Sequence, residues 1–124
     1  MSILKAFNNH LGEFIDDLII LFPNDIDLKA TRTVFQGLRK VNPKSLLINW
    51  KYYVTEKYKE EVYQGNIDFF LTKDYNRDMD DVEDKGEALK TIERLRGPLS
   101  KIGDKNLEKA KKYLLNLTKL SELY

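Results

Sequence analysis

The apolar residues of the first 21 positions recur in alternating steps of three and four, and this spacing constrains the fold more than any other feature of the sequence. Such steps place side chains on one face of an α-helix. We therefore predict an amphipathic helix that ends at Phe22-Pro23, because a residue before proline is pushed out of the α region. The apolar series is Leu4, Phe7, Leu11, Phe14, Leu18 and Leu21.

The same periodicity predicts a second helix, with Asn24 or Asp25 as its N-cap. Asn42-Pro43 is expected to close this helix and to open the third, with Asn42 as N-cap and Pro43 at the first helical position. The connection between the two helices must then be very short. They are expected to form an angled or antiparallel pair.

The third helix, from Pro43 to about Val54, has apolar side chains nearly all the way round. Ile48 and Tyr52 lie opposite the face that contains Trp50. A helix of this kind is usually sandwiched inside a core. We therefore predict that Trp50 lies at the centre of the core.

The middle of the chain is less regular. A short helix ended by Gly65 is followed by another helical turn, for which a strand through residues 69–71 is the weaker alternative. Residues 74–84 hold six acids with Arg77 as the single base among them, so we predict a solvated acidic loop around 74–85.

Two further helices are predicted in the last third, one stopped by Gly97-Pro98 and one capped by Asp104. The sequence contains no internal repeat, which favours a single domain. The fold class expected is all-α: a compact single-domain bundle of five or six helices over residues 1–124.

Composition agrees with a globular protein, since 42% of the residues are hydrophobic and 33% are charged. No apolar run approaches the roughly 20 residues that cross a bilayer, and no secretion leader is visible. The chain also contains no cysteine. These features predict an intracellular protein that is not secreted and has no membrane partner.

The acidic run resembles the start of an EF-hand loop, because Asp74, Asn76, Asp78 and Asp80 occupy positions 1, 3, 5 and 7. Position 6 requires glycine and position 12 requires a bidentate glutamate. Met79 and Lys85 stand at those positions. We therefore predict a loop without a specific calcium site.

His10 is the single histidine, and without a cysteine or a second imidazole it cannot complete a zinc shell. We expect a structural role for it. The serines lie in none of the glycine-flanked turns that expose a nucleophile, and no glycine-rich phosphate loop occurs. The sequence therefore predicts no enzyme, no cofactor and no metal, although scattered Asp, Glu, Lys or Tyr groups could still form a catalytic site.

Charge is distributed in blocks although the net charge is only +1. Residues 1–84 hold 11 Lys and Arg against 15 Asp and Glu, whereas residues 85–124 hold 10 against 5. Six bases and no acid lie between Asp27 and Glu56, which is one pattern of a phosphate-binding face. The alternative, favoured by the near-neutral total, is that basic faces pair with acidic ones. The six bases are Lys29, Arg32, Arg39, Lys40, Lys44 and Lys51.

Three residues differ in polarity from the helix face on which they lie. Ile20 and Leu115 are apolar groups on charged faces, and Arg96 falls on an apolar face. Single exposed apolar residues are common, but such positions also mark contact surfaces. We expect these three residues to be candidates for contact with a protein partner.

Six short segments spread over the whole chain carry a resemblance to a known family. They are Phe7-Asn8-Asn9-His10, Phe22-Pro23, Asn42-Pro43-Lys44 with Trp50, Gly65-Asn66-Ile67-Asp68-Phe69-Phe70, Lys73-Asp74-Tyr75 and Leu120-Ser121-Glu122-Leu123-Tyr124. The sequence resembles a family of short helical proteins encoded by large DNA viruses of algae and other protists. The resemblance implies infection of a eukaryotic host, with localisation in the host cytoplasm or nucleus or in the virion, and it assigns no catalytic or binding residue.

Together these patterns predict a non-enzymatic helical interaction or structural protein of a large DNA virus, acting through its surface on a protein partner or assembly. The alternative is a small nucleic-acid-binding protein that uses the basic face of residues 29–51.

Overall fold

The computed structural model describes residues 2–72 and 86–124, and every regular element within these ranges is helical. The predicted all-α bundle is confirmed. The acidic segment 74–85, with its EF-hand-like spacing, lies outside the described residues. The elements are α1 (Ile3–Leu21), α2 (Ile26–Val41), α3 (Ser45–Trp50), a π-helical turn (Lys51–Thr55), α4 (Glu56–Tyr63), α5 (Asp68–Thr72), α6 (Glu87–Glu93), α7 (Arg96–Ser100) and α8 (Asp104–Leu123).

α1 ends where the sequence predicts, and α2 begins and ends where the sequence predicts. The Ser2 side chain accepts a hydrogen bond from the Lys5 amide at the start of α1, and Asp25 caps α2 by accepting from the Leu28 amide. Gly12 lets the two helices approach closely, because a Cβ at that position would lie only 3.1 Å from the Phe35 ring. α1 and α2 therefore form a tightly packed hairpin.

The connection from α2 to α3 is short, as predicted, but the predicted N-cap is wrong. Asn42 ends α2, because its amide donates to the Leu38 carbonyl, and α3 begins at Ser45 without a side-chain cap. Pro43 and Lys44 form a turn between them. The buried Asn8 amide donates to the Pro43 carbonyl at 3.0 Å, which fastens this turn to α1.

Residues 45–63 follow one another in helical elements, with a π-helical turn at Lys51–Thr55, but Tyr58 has non-helical backbone angles (φ −131°, ψ 17°). A kink at Tyr58 therefore divides the segment into two helical parts, as predicted, although the division lies a few residues after the predicted end near Val54. Five of its buried side chains are spaced by four residues: Leu46, Trp50, Val54, Tyr58 and Val62. An α-helix has 3.6 residues per turn, so each step of four rotates a side chain by about 40° away from the previous one. The wider π-helical turn before Tyr58 and the kink at Tyr58 both change the direction of the side chains, and the whole series stays buried.

Trp50 is fully buried at the centre of the core, as predicted. Ile48 and Tyr52 are exposed, so the prediction that this helix is covered on all sides is wrong. The Trp50 ring packs against Phe7 of α1 and Phe70 of α5, with ring centroids 6.2 and 6.3 Å away. Its Nε1–H donates to Oγ1 of the buried Thr118 on α8 at 3.2 Å.

Gly97-Pro98 does not stop a helix, contrary to the prediction. α6 ends earlier, at Glu93, and both residues lie in the first turn of α7. Proline is tolerated there because first-turn amides have no intrahelical acceptor.

The predicted cap of α8 is also wrong by one residue. Gly103, with φ of 77°, takes the N-cap position, and Asp104 is the first helical residue.

We predict that Thr118→Val lowers the free energy of unfolding by about 1–3 kcal/mol, because it leaves the buried Trp50 N–H without its acceptor while keeping the side-chain shape. Urea denaturation measures the change. Thr33→Val, at an exposed position of α2, is the matched control and should shift stability by less than about 0.5 kcal/mol. Equal effects in the two variants would contradict the role of the indole hydrogen bond.

Candidate interaction surfaces

Two ridges of polar side chains face each other along the α1–α2 hairpin. Both ridges follow steps of three and four, and the helices are antiparallel, since Asp16 meets Arg32 while Asn9 meets Arg39. An open groove of about 920 Å³ runs between them, with Gly12 and Phe35 among its lining residues. The α1 ridge is Asn9, Glu13, Asp16 and Ile20, and the α2 ridge is Lys29, Arg32, Gln36 and Arg39.

Two of the predicted nucleic-acid contacts are already engaged across this groove. Arg32 Nε lies 2.6 Å from Asp16 Oδ1, and Arg39 Nη2 donates to the Asn9 side-chain oxygen. The Asp16–Arg32 pair is about half exposed, so it contributes less than about 1 kcal/mol to stability. Glu13 lines the same groove and adds a second carboxylate to a surface that a phosphate backbone would approach.

The other four predicted bases do not all lie on one face. Lys40 lines the α1–α2 groove, and Lys29 lines a neighbouring groove beside Ile20. Lys44 is exposed in the turn after α2, and Lys51 is half-buried in the π-helical turn. The structure therefore brings together Lys29, Arg32, Arg39 and Lys40 along α2, while Lys44 and Lys51 belong to the next elements.

The three predicted protein contacts have different environments. Ile20 is 74% exposed. Arg96 is half-buried, and its Nε donates to the Phe70 carbonyl at 2.8 Å, which links α7 to α5. Leu115, expected on an exposed face, is half-buried and packs against the core, because α8 contacts both α1 and the helical segment 45–63.

Ile20 stands between two grooves. On one side, Lys29, Arg32 and Asp16 line an open groove of about 510 Å³ between α1 and α2. On the other side lies a groove of about 160 Å³ between α1 and α8. Ile20 with the residues that line these two grooves is referred to below as the Ile20 surface. The α1–α8 groove is lined by Phe14, Asp17, Leu18, Ile20, Leu21, Ile102, Asn106, Lys109, Ala110 and Tyr113.

A polar contact between α1 and α8 fixes one wall of the smaller groove. The Tyr113 hydroxyl donates to Asp17 Oδ2, and Lys109 Nζ lies 3.1 Å from the same oxygen. The hydrogen bond from Tyr113, with help from Lys109 and against the effect of burial, holds the pKa of Asp17 below its usual value. Burial and the nearby Asp17 carboxylate raise the pKa of Tyr113 strongly, so its hydroxyl keeps its proton.

Aromatic packing holds the Tyr113 ring in place. The Tyr113 ring stacks on the Phe14 ring, with the two centroids 4.8 Å apart and an interplanar angle of 15°. The His10 ring also contacts the Tyr113 ring, with their centroids 4.8 Å apart. A side chain fixed by stacking and by a charge-assisted hydrogen bond has few other rotamers. The groove wall is therefore preformed.

The two ring nitrogens of His10 lie in different surroundings. Its Nδ1 lies 3.9 Å from Glu13 Oε2, and its buried Nε2 has no hydrogen-bond partner among the described residues. Burial lowers the pKa of His10, and the Glu13 carboxylate partly opposes this effect. Within residues 2–72 and 86–124 no group of three or more His, Cys, Asp or Glu side chains is placed to hold a metal ion.

Sequence reasoning missed the contact of Asp17 with Lys109 and Tyr113. Asp17 and Tyr113 are 96 positions apart, and neither has a partner at helical spacing that would reveal the pair. The available signal was that Tyr113 lies on the apolar face of α8, where a buried hydroxyl requires a hydrogen-bond partner.

Comparison with protein-family models, curated proteins and solved structures found no match to this chain. In the part of the chain that the structure describes, no helix combines the length and the apolar character that crossing a membrane requires.

We predict that Tyr113→Phe raises the pKa of Asp17 towards its ordinary value, because the lost hydroxyl donates to the ionised carboxylate and stabilises that form. Carboxyl resonances in NMR titration report this pKa. Stability at neutral pH should also fall by about 0.5–1.5 kcal/mol, the usual contribution of one hydrogen bond. Tyr52→Phe, at an exposed hydroxyl, is the control. An unchanged Asp17 titration in Tyr113→Phe would refute the assignment.

We also predict that His10 makes the protein less stable in mild acid. Its folded pKa lies below the unfolded value of 6.5, so the unfolded state binds more protons as the pH falls past 6.5, and the free energy of unfolding decreases. Urea unfolding between about pH 7.5 and 5.5 should show a smaller decrease in His10→Gln than in the wild type. Glu13→Gln removes the opposing carboxylate and should steepen the decrease. The same slope in all three proteins would contradict this prediction.

Proposed function

We propose that this chain is a non-enzymatic helical interaction protein that binds a protein partner or assembly through the Ile20 surface. The observation that carries the proposal is the position of Ile20. It is 74% exposed in a ridge that is otherwise polar, and it separates two grooves.

The surroundings of Ile20 have the composition of a protein interface. Such interfaces place apolar anchors at the centre and polar groups at the rim. Leu21, which lines the α1–α8 groove with Ile20 and is 40% exposed, extends the apolar centre. Lys29, Arg32 and Lys109 form part of the rim.

The resemblance to short helical proteins of large DNA viruses supplies the proposed setting. There the partner would be another component of the infected host cell or of the viral particle.

Nucleic-acid binding is the second candidate, and the row of Lys29, Arg32, Arg39 and Lys40 along α2 favours it. Two of these bases contact α1, and Glu13 and Asp16 share their groove. Carboxylates beside the bases weaken attraction to a phosphate backbone. The protein-binding function is therefore the better supported of the two.

Site-specific photocrosslinking tests the proposal. Ile20→p-benzoylphenylalanine and Val41→p-benzoylphenylalanine carry the same reactive group at two exposed apolar positions. The control position lies at the other end of the hairpin, since the 16 residues of α2 span about 24 Å. In algal or protist cells that express each variant, irradiation should produce a discrete protein adduct from position 20 and none from position 41.

The adducts are analysed before and after nuclease treatment. A protease-sensitive, nuclease-resistant adduct from position 20 is the expected result. An adduct that nuclease removes would support nucleic-acid binding instead. No adduct at position 20, or equal adducts at both positions, would overturn the proposed function.

A further inference from the structure

We infer that the partner segment is an acidic amphipathic helix, which crosses α1 at Ile20 and inserts one large apolar side chain into the α1–α8 groove. This inference rests on the proposed function and adds the chemistry of the partner.

The size of the α1–α8 groove suits one side chain. Its volume is about 160 Å³, and its apolar walls include Phe14, Ile102 and Ala110. An apolar cavity of about 150 Å³ accommodates a benzene ring, whereas sites for drug-sized ligands occupy roughly 300–1,000 Å³. The groove therefore fits one phenyl-sized anchor of a larger partner.

The second groove supports a helix as the partner. The two grooves lie on opposite sides of α1, one towards α8 and one towards α2. Packed helices are about 8–10 Å apart, so the spaces on either side of one helix are separated by a similar distance. Residues i and i+7 of an α-helix lie about 10.5 Å apart on one face, which matches that separation. Ile20 would then pack between the apolar anchor in the α1–α8 groove and a residue seven positions away that faces the second groove.

The charges favour an acidic partner. Each carboxylate of the Ile20 surface already has a partner, because Asp16 pairs with Arg32, and Asp17 accepts hydrogen bonds from Tyr113 and Lys109. The ammonium group of Lys29 has no ion-pair partner among the described residues, and Lys109 remains 65% exposed. Arg32 and Lys109 are the cations in these pairs, so Lys29 is the cation that remains for a partner, and the three cations and two carboxylates of the surface leave it with a net charge of +1. One acidic flank of a peptide can use this single cation, whereas a phosphate backbone requires a row of them.

A nucleic acid would leave the apolar groove unused. Phosphate contacts require a row of cations, and bases stack on exposed aromatic faces. Phe14 is buried, and Tyr113 is half-buried between Phe14 and His10. The observations therefore favour a peptide with both apolar and acidic side chains.

Selection from a displayed library tests this inference. The library presents helical peptides of about 16 residues, with randomised anchor and flanking positions and no bias in net charge. The purified full-length protein is the target, and the selected peptides are measured individually by fluorescence anisotropy. We expect them to have net negative charge and a Phe, Leu or Trp at one anchor position.

Three variants test whether these peptides bind the Ile20 surface. Ile20→Asp should weaken binding at least tenfold, whereas Val41→Asp, the matched control at another exposed apolar position, should leave it unchanged. Lys29→Glu should weaken binding about fivefold, because it places a like charge opposite an acidic flank. Circular dichroism confirms that each variant keeps its helical content.

Other outcomes would overturn the inference. These are enrichment of basic or uncharged peptides, binding that survives Ile20→Asp, or no enrichment at all. A protein adduct at position 20 combined with non-acidic selected peptides would retain the proposed function and remove this inference. Tight binding of duplex DNA or single-stranded RNA that Ile20→Asp leaves intact, in the absence of peptide binding, would remove both.

Discussion

The indole of Trp50 connects the parts of this fold that are far apart in the chain. Its ring contacts Phe7 of α1 and Phe70 of α5, and its N–H binds Thr118 of α8. Because a buried indole N–H requires an acceptor, this hydrogen bond fixes the position of α8 along α3, the helix that ends at Trp50. Tyr113 lies five residues before Thr118, about 7.5 Å along the axis, so the same contact positions Tyr113 against α1. The core therefore determines the shape of the α1–α8 groove.

The charges of the first two helices have a structural role that limits their functional one. The two contacts between the ridges, Asp16 with Arg32 and Asn9 with Arg39, fit only the antiparallel register in which Gly12 meets Phe35. A shift of one helical turn would place other side chains against the Phe35 ring, where only Gly12 leaves room. Two of the cations that suggest phosphate binding in the sequence, Arg32 and Arg39, are thus engaged by side chains of α1. The net charge of only +1 likewise gives the whole chain little attraction for a phosphate backbone.

Local patterns predicted the parts of the structure that depend on local physics. The apolar face of α1, the Asp25 cap and the burial of Trp50 follow from spacing within one or two helical turns. The π-helical turn was not predicted, although the steps of four from Leu46 to Val62 contain its signal. Ile20 was identified because it interrupts a polar ridge. The groove beside it was not, since Tyr113 and Lys109 come from a helix more than 85 residues further along the chain.

The position of Ile20, and not its exposure alone, carries the functional argument. Isolated exposed apolar residues are common and require no explanation. Ile20 contributes little to folding while it is 74% exposed, yet burying it against a partner would contribute up to about 2 kcal/mol. The groove beside it is preformed, because Tyr113 is held by Phe14 and Asp17, so binding would require little ordering of the wall. Ile20, beside a preformed groove, would therefore gain more free energy from the proposed association than it contributes to the isolated fold.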